Sequence, residues 1–197
     1  MIPEPKFADV VAQKLALRHQ VREKLEALTK ATQAAASDQA CALLRQQKRW
    51  NEARVVLFYA PLANELDISP LLTEALAVGK TVALPQFIAE KKLYGACEIR
   101  DPGRDLEEGH FGVQEPVAHC APMAISRLDF ILVPGVAFDL HGRRLGRGRG
   151  FYDVLLTVVR GTTCGVAFDE QIVREVPVEP HDIRLNCILT PTRWIEQ

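Results

Sequence analysis

No stretch of this 197-residue chain approaches the ~18 to 20 uninterrupted apolar residues of a membrane-spanning helix, so no such helix and no membrane partner are expected. Excess charge is also missing: 24 Lys and Arg face 25 Asp and Glu, a net −1. A chain whose overall field holds it on nucleic acid is therefore not expected, and any basicity must act locally. The five cysteines are odd in number, scattered, and form no CxxC pair. That argues against a disulfide frame or zinc knuckle and for buried thiols in a reducing compartment. The start, Met1 to Pro5, lacks the basic and apolar regions of a signal peptide, so a cytoplasmic location is expected. No GxxxxGK[ST] phosphate loop occurs, and Gly146-x-Gly148-x-Gly150 does not match the dinucleotide fingerprint. No nucleophile constellation stands out. Cys164 falls inside an expected buried strand, and His110, His119, His141 and His181 fall in loops without metal-site spacing.

What is present reads as one domain over residues 1–197, with a helical part over 1–50 and an α/β core over 51–197. An apolar fraction of 48% with 25% charged residues is that of a folded globular chain. Val10, Leu17, Val21, Leu25 and Leu28 recur at helical spacing, and Lys14, Arg18 and Arg22 share another row of the same helix. Residues 31–50, rich in Ala, Gln and Leu, read as a second helix. Arg54 to Tyr59 reads as a strand. A helix capped by Asp67 or Ser69 runs to Val78, with Pro70 in its first turn and Gly79 beyond its end. Thr81 to Leu84 is the next strand, stopped by a proline, which makes a βαβ unit with Glu65 at the first strand's carboxyl end, the ligand edge of open α/β sheets. Leu93 to Ile99 is a further candidate strand, and Glu108 to Pro116 reads as a glycine-punctuated loop. Beyond residue 150 a helix over Phe151–Val159 and strands at Thr163–Ala167 and Cys187–Thr190 are expected, with a proline-braced loop over 176–182.

The chemistry-bearing stretch is 129–153. An apolar strand, Phe130 to Val133, stops at Pro134-Gly135. Four glycines and four arginines then crowd residues 142–150, followed by Phe151, Tyr152 and Asp153 at the start of a helix. Alternate glycines let the backbone approach a ligand, successive N–H groups make an anion nest, and guanidinium forks match phosphate oxygens. Asp153 is placed to hold a magnesium ion bridging those oxygens. Phosphate binding is the leading reading; a glycine-rich turn with solvated arginines comes second and an RGG-like RNA contact third.

Several segments together resemble the 5-formyltetrahydrofolate cyclo-ligase family. Its signature stands here as Pro134-Gly135-Val136-Ala137-Phe138-Asp139, followed by Arg144-Leu145-Gly146-Arg147-Gly148-Arg149-Gly150-Phe151-Tyr152-Asp153. Lys14 and Arg18, the loop through Glu65-Leu66-Asp67, Gly79-Lys80, Phe111-Gly112-Val113-x-Glu115-Pro116 and Pro180-His181-Asp182 support it in the same order. The resemblance implies an ATP- and Mg2+-dependent enzyme that cyclises 5-formyltetrahydrofolate to 5,10-methenyltetrahydrofolate, releasing ADP and phosphate. It implies a three-layer α/β fold, a mostly parallel sheet with helices on both faces, and an N-terminal helix closing over the ATP cleft.

Roles carried over with the resemblance are as follows. Lys14, Arg18 and the loop Arg144, Leu145, Gly146, Arg147, Gly148, Arg149, Gly150, Phe151 and Tyr152 would bind ATP, with Arg147 and Arg144 catalytic. Ala60, Glu65, Phe111, Phe151 and Tyr152 would bind the folate, and Asp153 and Asp182 the metal. Arg149 stands where glycine or lysine is frequent, Phe151 where tyrosine is, and Asn186 where an aspartate often follows. A monomer is expected. Two other readings are a sugar-phosphate isomerase or acyl-CoA transferase relative on a similar sheet, and an RNA-binding module using the Arg-Gly loop.

Overall fold

The computed structural model describes residues 7–88, 93–109, 112–148, 151–179 and 182–197. Chain order is α1 (Phe7–Glu26), α2 (Lys30–Arg45), α3 (Lys48–Glu52), β1 (Val55–Leu57), α4 (Ser69–Ala77), β2 (Thr81–Ile88), β3 (Leu93–Ile99), α5 (Pro102–Asp105), β4 (Leu106–Glu108), β5 (Gln114–Pro116), β6 (Pro122–Met123), β7 (Phe130–Pro134), β8 (Ala137–Asp139), β9 (Arg144–Leu145), α6 (Phe151–Val158), β10 (Thr162–Val166), β11 (Ile172–Val173), β12 (Cys187–Leu189) and β13 (Trp194–Glu196). The main sheet has the order β13-β12-β10-β7-β1-β2-β3-β6. Strands β12, β10, β7, β1 and β2 are parallel, while β13, β3 and β6 are antiparallel at the margins.

Strand β7 sits at the centre, and Phe130 to Val133 are fully buried, as a strand covered on both faces must be. Side chains alternate across the sheet. Phe130 and Leu132 join a core with α1, α2, α3 and α4, and Ile131 and Val133 join one with α6. The expected three-layer architecture with helices on both faces is what is found. The β1-α4-β2 unit is parallel as expected. Asp67 Oδ1 accepts from the Ser69 N–H at 2.9 Å, and Gly79 leaves the helix with φ +80°.

Three expectations need correction. The second helix is not continuous over 31–50: it ends at Arg45 and restarts at Lys48. Gln47 Nε2 donates to Leu43 O and Asn51 Nδ2 to Arg45 O, so side chains satisfy the terminal carbonyls without glycine or proline. Beyond the break, Trp50 packs edge-on against Phe58 and Phe130, with ring centroids 5.9 and 5.7 Å away. Strand β2 is not stopped by Pro85 but runs through it to Ile88. The Ala83 carbonyl accepts from the Phe58 N–H on the β1 side. Period-two alternation puts the missing N–H of Pro85 on that same side, so the β1–β2 ladder stops at Leu57 while the pairing of β2 with β3 on its other edge carries the strand on to Ile88. Finally, residues 108–116 are not only a loop, because β4 and β5 pair as an antiparallel hairpin.

A small sheet, β11-β8-β9, stands beside the main one and carries the arginine-glycine stretch. Its turn is built on Asp139, which is fully buried. Asp139 Oδ1 accepts from the N–H groups of His141 (2.9 Å) and Arg143 (3.2 Å), and Oδ2 from that of Val176 (2.9 Å). Asp139→Ala would leave three N–H groups, that of Val176 buried, without their anionic acceptor. The expected cost is roughly 3 kcal/mol in urea denaturation, with no change in denaturant slope. Wild-type stability would remove Asp139 as the keystone of the turn.

Candidate active site

The carboxyl ends of β1, β2 and β7 open into one cleft of about 360 Å³, the ligand edge expected of such a sheet. Tyr59, Ala60, Pro85 and Pro134 bring strand ends to it, Val113, Gln114 and Glu115 come from the β4-β5 hairpin, and Arg144, Gly146, Arg147 and Gly148 from the glycine stretch. Tyr152 and Asp153 enter from the first turn of α6. Two glycines are dictated by geometry. Gly148 has φ +91°, and a Cβ on Gly135 would lie 2.6 Å from the Phe138 ring.

The Glu65 loop is held by one cleft-wall residue and one residue of α2. Tyr59 Oη donates to Leu66 O (2.8 Å), and Ser37 Oγ on α2 accepts from the Asp67 N–H (2.9 Å). Burial pushes the Tyr59 phenol well above its usual pKa, so it is an anchor and not an acid. Glu65 Oε2 accepts from the Leu62 N–H at 3.0 Å. Its Oε1 accepts from Arg147 Nη2 (2.8 Å) and Nε (3.2 Å), and Arg147 also donates to Asn64 Oδ1 (3.0 Å). Thus Arg147 and Glu65, assigned to different ligands on sequence grounds, clasp each other across the cleft.

Arg144 is 4% exposed and committed: Nη2 donates to Asp153 Oδ1 (2.5 Å), Nη1 to Pro134 O (3.2 Å), and its guanidinium lies 5.6 Å from the Tyr152 ring centroid. Arg143 bonds Glu175 at 2.8 Å. Arg143, Arg144 and Arg147 each therefore have a carboxylate in the protein, which is not the arrangement of a solvated turn or a free Arg-Gly ribbon. Leu145 is 2% exposed and packs in the core, while its carbonyl accepts from the Val136 N–H at 2.7 Å, so its connection to the cleft is through the backbone.

Helix α1 lies against this stretch. Arg18 Nε donates to Gly146 O at 3.0 Å. Arg18, Arg22 and Arg147 together line a second hollow of about 260 Å³, floored by Gly135, Val136 and Gln171. Lys14 donates to Glu179 Oε2 (2.6 Å) and Asp182 Oδ2 (2.8 Å). Burial pulls its pKa down, but the bonds and charges of Asp182 and Glu179 outweigh that, leaving it above the ordinary 10.5. Asp153 and Asp182 are engaged by different cations, Arg144 and Lys14. The Asp153 carboxylate is 43% exposed on the cleft wall, within reach of a phosphate-bound ion, and Mg2+ characteristically takes only one or two carboxylates beside phosphate and water. Asp153 fits such an ion; Asp182 supplies the right donor type. Phe111, Arg149 and Gly150 lie outside the described residues, as does the side chain of Phe151.

One residue here carried no sequence mark, and two others were noted without the role they play. Gln171 is buried, donates from Nε2 to Gly135 O (2.8 Å) and Val136 O (3.0 Å), and so fixes the bend between β7 and β8. Arg22 continues the Lys14-Arg18 row and reaches the second hollow, a signal that the four-residue spacing did contain. Asn186 accepts from Thr163 N (2.8 Å) and Oγ1 (3.0 Å), a strand-linking role.

A model of the 5-formyltetrahydrofolate cyclo-ligase family matches residues 10–191. The chain belongs to that family. It is 32% identical over 180 residues to the 5-formyltetrahydrofolate cyclo-ligase of Escherichia coli K12, covering 88% of this chain and 97% of that protein. It is 36% identical over 149 residues to that of Mycolicibacterium smegmatis, covering 72% and 76%. The structure of Aquifex aeolicus 5,10-methenyltetrahydrofolate synthetase superposes with a TM-score of 0.84 at 32% identity, over 93% of this chain and 92% of that one. The Mycoplasma pneumoniae 5,10-methenyltetrahydrofolate synthetase shares the fold, with a TM-score of 0.71 at 21% identity over 90% and 98%.

The Lys14 anchor is open to titration. Its raised folded-state pKa means the stabilisation is complete below the ordinary value of 10.5 and is lost as pH rises through the higher folded value. Lys14→Met should lower stability by roughly 1–3 kcal/mol at neutral pH. Thermal denaturation from neutral to alkaline pH should show the gap to wild type closing only above the lysine range, and a pH-independent gap would disprove an ionic anchor.

Proposed function

We propose that this member of the cyclo-ligase family converts 5-formyltetrahydrofolate to 5,10-methenyltetrahydrofolate using ATP, in the cleft between the Glu65 loop and the arginine-glycine stretch. The carrying observation is the Arg147–Glu65 clasp, which sets a phosphate-binding group opposite a carboxylate suited to a pterin's amino and ring N–H groups.

The formyl carbonyl is amide-like, and its oxygen leaves poorly. Transfer of the γ-phosphoryl group to that oxygen breaks the bond to ADP and forms a phosphate ester. The neighbouring secondary nitrogen of the folate attacks the formyl carbon and gives up its proton. The carbon–oxygen bond breaks, phosphate departs, and the methenyl bridge remains. Because the attack is intramolecular, positioning and charge neutralisation suffice. The five cysteines are all buried, which accords with a route needing no covalent enzyme nucleophile.

Glu65 accepts hydrogen bonds from the pterin, which releases Arg147 to the transferring phosphoryl group. The first turn of α6 adds backbone N–H groups and the positive end of its dipole. Arg144 acts chiefly by holding Asp153 and Tyr152 in place. Arg18 steadies the loop through the Gly146 carbonyl and, with Arg22, faces the remaining phosphates from α1. Asp153, with Asp182 in support, would hold Mg2+, which would supply neutralisation of charge on the phosphate oxygens. Tyr59, Pro85 and Pro134 form apolar walls that exclude water from the reacting centre.

Purified protein given Mg-ATP and 5-formyltetrahydrofolate should develop the methenyl absorbance, and no absorbance rise would sink the assignment. Arg147→Ala should lower turnover by roughly 10²–10³-fold while leaving the melting temperature unchanged. Asp153→Asn is the proper companion, since Asp153→Ala would strand the buried Arg144 guanidinium and confound folding with catalysis. Glu65→Gln should raise folate-independent phosphate release, because Arg147 loses its partner before folate arrives. Unchanged release would show that the clasp does not restrain Arg147.

A further inference from the structure

Away from the cleft, the fold assembles a donor set that linear spacing conceals. Asp105 ends α5, while His119 and Cys120 lie in the turn after β5. Asp105 Oδ1 and His119 Nε2 are 3.3 Å apart, and the Cys120 sulfur joins them so that all the ligand atoms lie within 4.8 Å of one another. Among the described residues this is the one group of three or more such side chains with ligand atoms so close. Tetrahedral coordination with oxygen and nitrogen bonds of ~2.0–2.2 Å places those atoms about 3.3 Å apart, so the Asp–His pair already has the spacing. A side-chain adjustment on the order of 1 Å brings in the sulfur at its longer bond of ~2.3 Å.

The surroundings support these donors. Asp105 Oδ2 accepts from the N–H groups of Arg100 (2.7 Å) and Asp101 (2.9 Å), which fixes the carboxylate with Oδ1 turned toward His119. The main chain is tied too, Val117 N–H to Asp105 O at 2.9 Å and Cys120 N–H to Val117 O at 3.0 Å. His119 is 68% exposed, so an ion enters from solvent and water completes its shell. An exposed His–Asp pair alone would be an ordinary surface contact of little energy. The buried thiol beside it is what changes the chemistry. Carboxylate, imidazole and thiolate together suit Zn2+ and not Mg2+, which favours oxygen throughout.

We propose that Asp105, His119 and Cys120 form a Zn2+ site that fastens the base of the β4-β5 hairpin. On coordination the Cys120 thiol releases its proton to solvent, and no electron moves. The site joins the residue just before β4 to the turn just after β5, and the hairpin between them carries Val113, Gln114 and Glu115 into the cleft. Bound zinc therefore stiffens a cleft wall without touching the substrates.

Co2+ is the test probe, added to the reduced full-length protein in excess Mg2+. A single equivalent should give a thiolate-to-cobalt charge-transfer band with tetrahedral visible bands, and Zn2+ should displace both. Cys120→Ser and His119→Ala should each abolish the thiolate band. Cys97→Ser, altering a thiol outside the set, should retain it. Zn2+ should also raise the melting temperature of the wild type but not of the two ligand variants. Absence of the thiolate band, or its persistence in Cys120→Ser, overturns the proposal. Should Cys120→Ser fail to fold, the exposed His119→Ala decides the matter, and an undiminished band there overturns it equally.

Discussion

A buried carboxylate is tolerated only where hydrogen bonds replace its water, and Asp139 meets that condition with three backbone N–H groups and Arg143 3.7 Å away. Much of the functional region follows from that one constraint. The bonds close the turn between β8 and β9, and β9 delivers Arg144 under the cleft. Arg144 in turn fixes Asp153 and stacks beside Tyr152, setting where α6 begins. The described part of the arginine-glycine stretch, as far as Gly148, is further tied down by the Arg18 bond to the Gly146 carbonyl. A carboxylate outside the cleft thus governs the geometry of residues that line it.

The broad fold was legible in the sequence because its signals were local and periodic. The apolar run Phe130–Val133, the helical row Val10-Leu17-Val21-Leu25 and the Asp67-Pro70-Gly79 punctuation are each readable within the span of a single element. The misreadings arose where long-range partners overruled local rules. Pro85 is an ordinary stop signal, and it does end the ladder to β1, but the pairing with β3 on the other edge carries β2 past it. The break before Lys48 is capped by Gln47 and Asn51, residues with no reputation as terminators, and goes with the burial of Trp50.

In the site, the glycine stretch, Glu65 and Asp153 were legible because unusual composition or sheet-edge placement marked them. Gln171, Ser37 and Asn186 were not, since each works through one or two bonds to distant backbone that no spacing announces. His119 shows the same limit more sharply. As one loop histidine among several it carried no signal, and its neighbours Asp105 and Cys120 acquire meaning only once β4 pairs with β5.

The Arg147–Glu65 clasp has a consequence for the order of events. An anion approaching Arg147 alone must break an ion pair and leave Glu65 without its guanidinium partner. A pterin approaching Glu65 alone displaces Arg147 in the same way. A ligand pair that serves both groups pays this cost once instead of twice. On the proposed assignment of Arg147 to ATP and Glu65 to the folate, the two ligands would be thermodynamically linked, and linkage is reciprocal: the factor by which folate strengthens nucleotide binding would equal the factor by which nucleotide strengthens folate binding. An ion pair that looks like simple neutralisation would then make each substrate a reporter of the other.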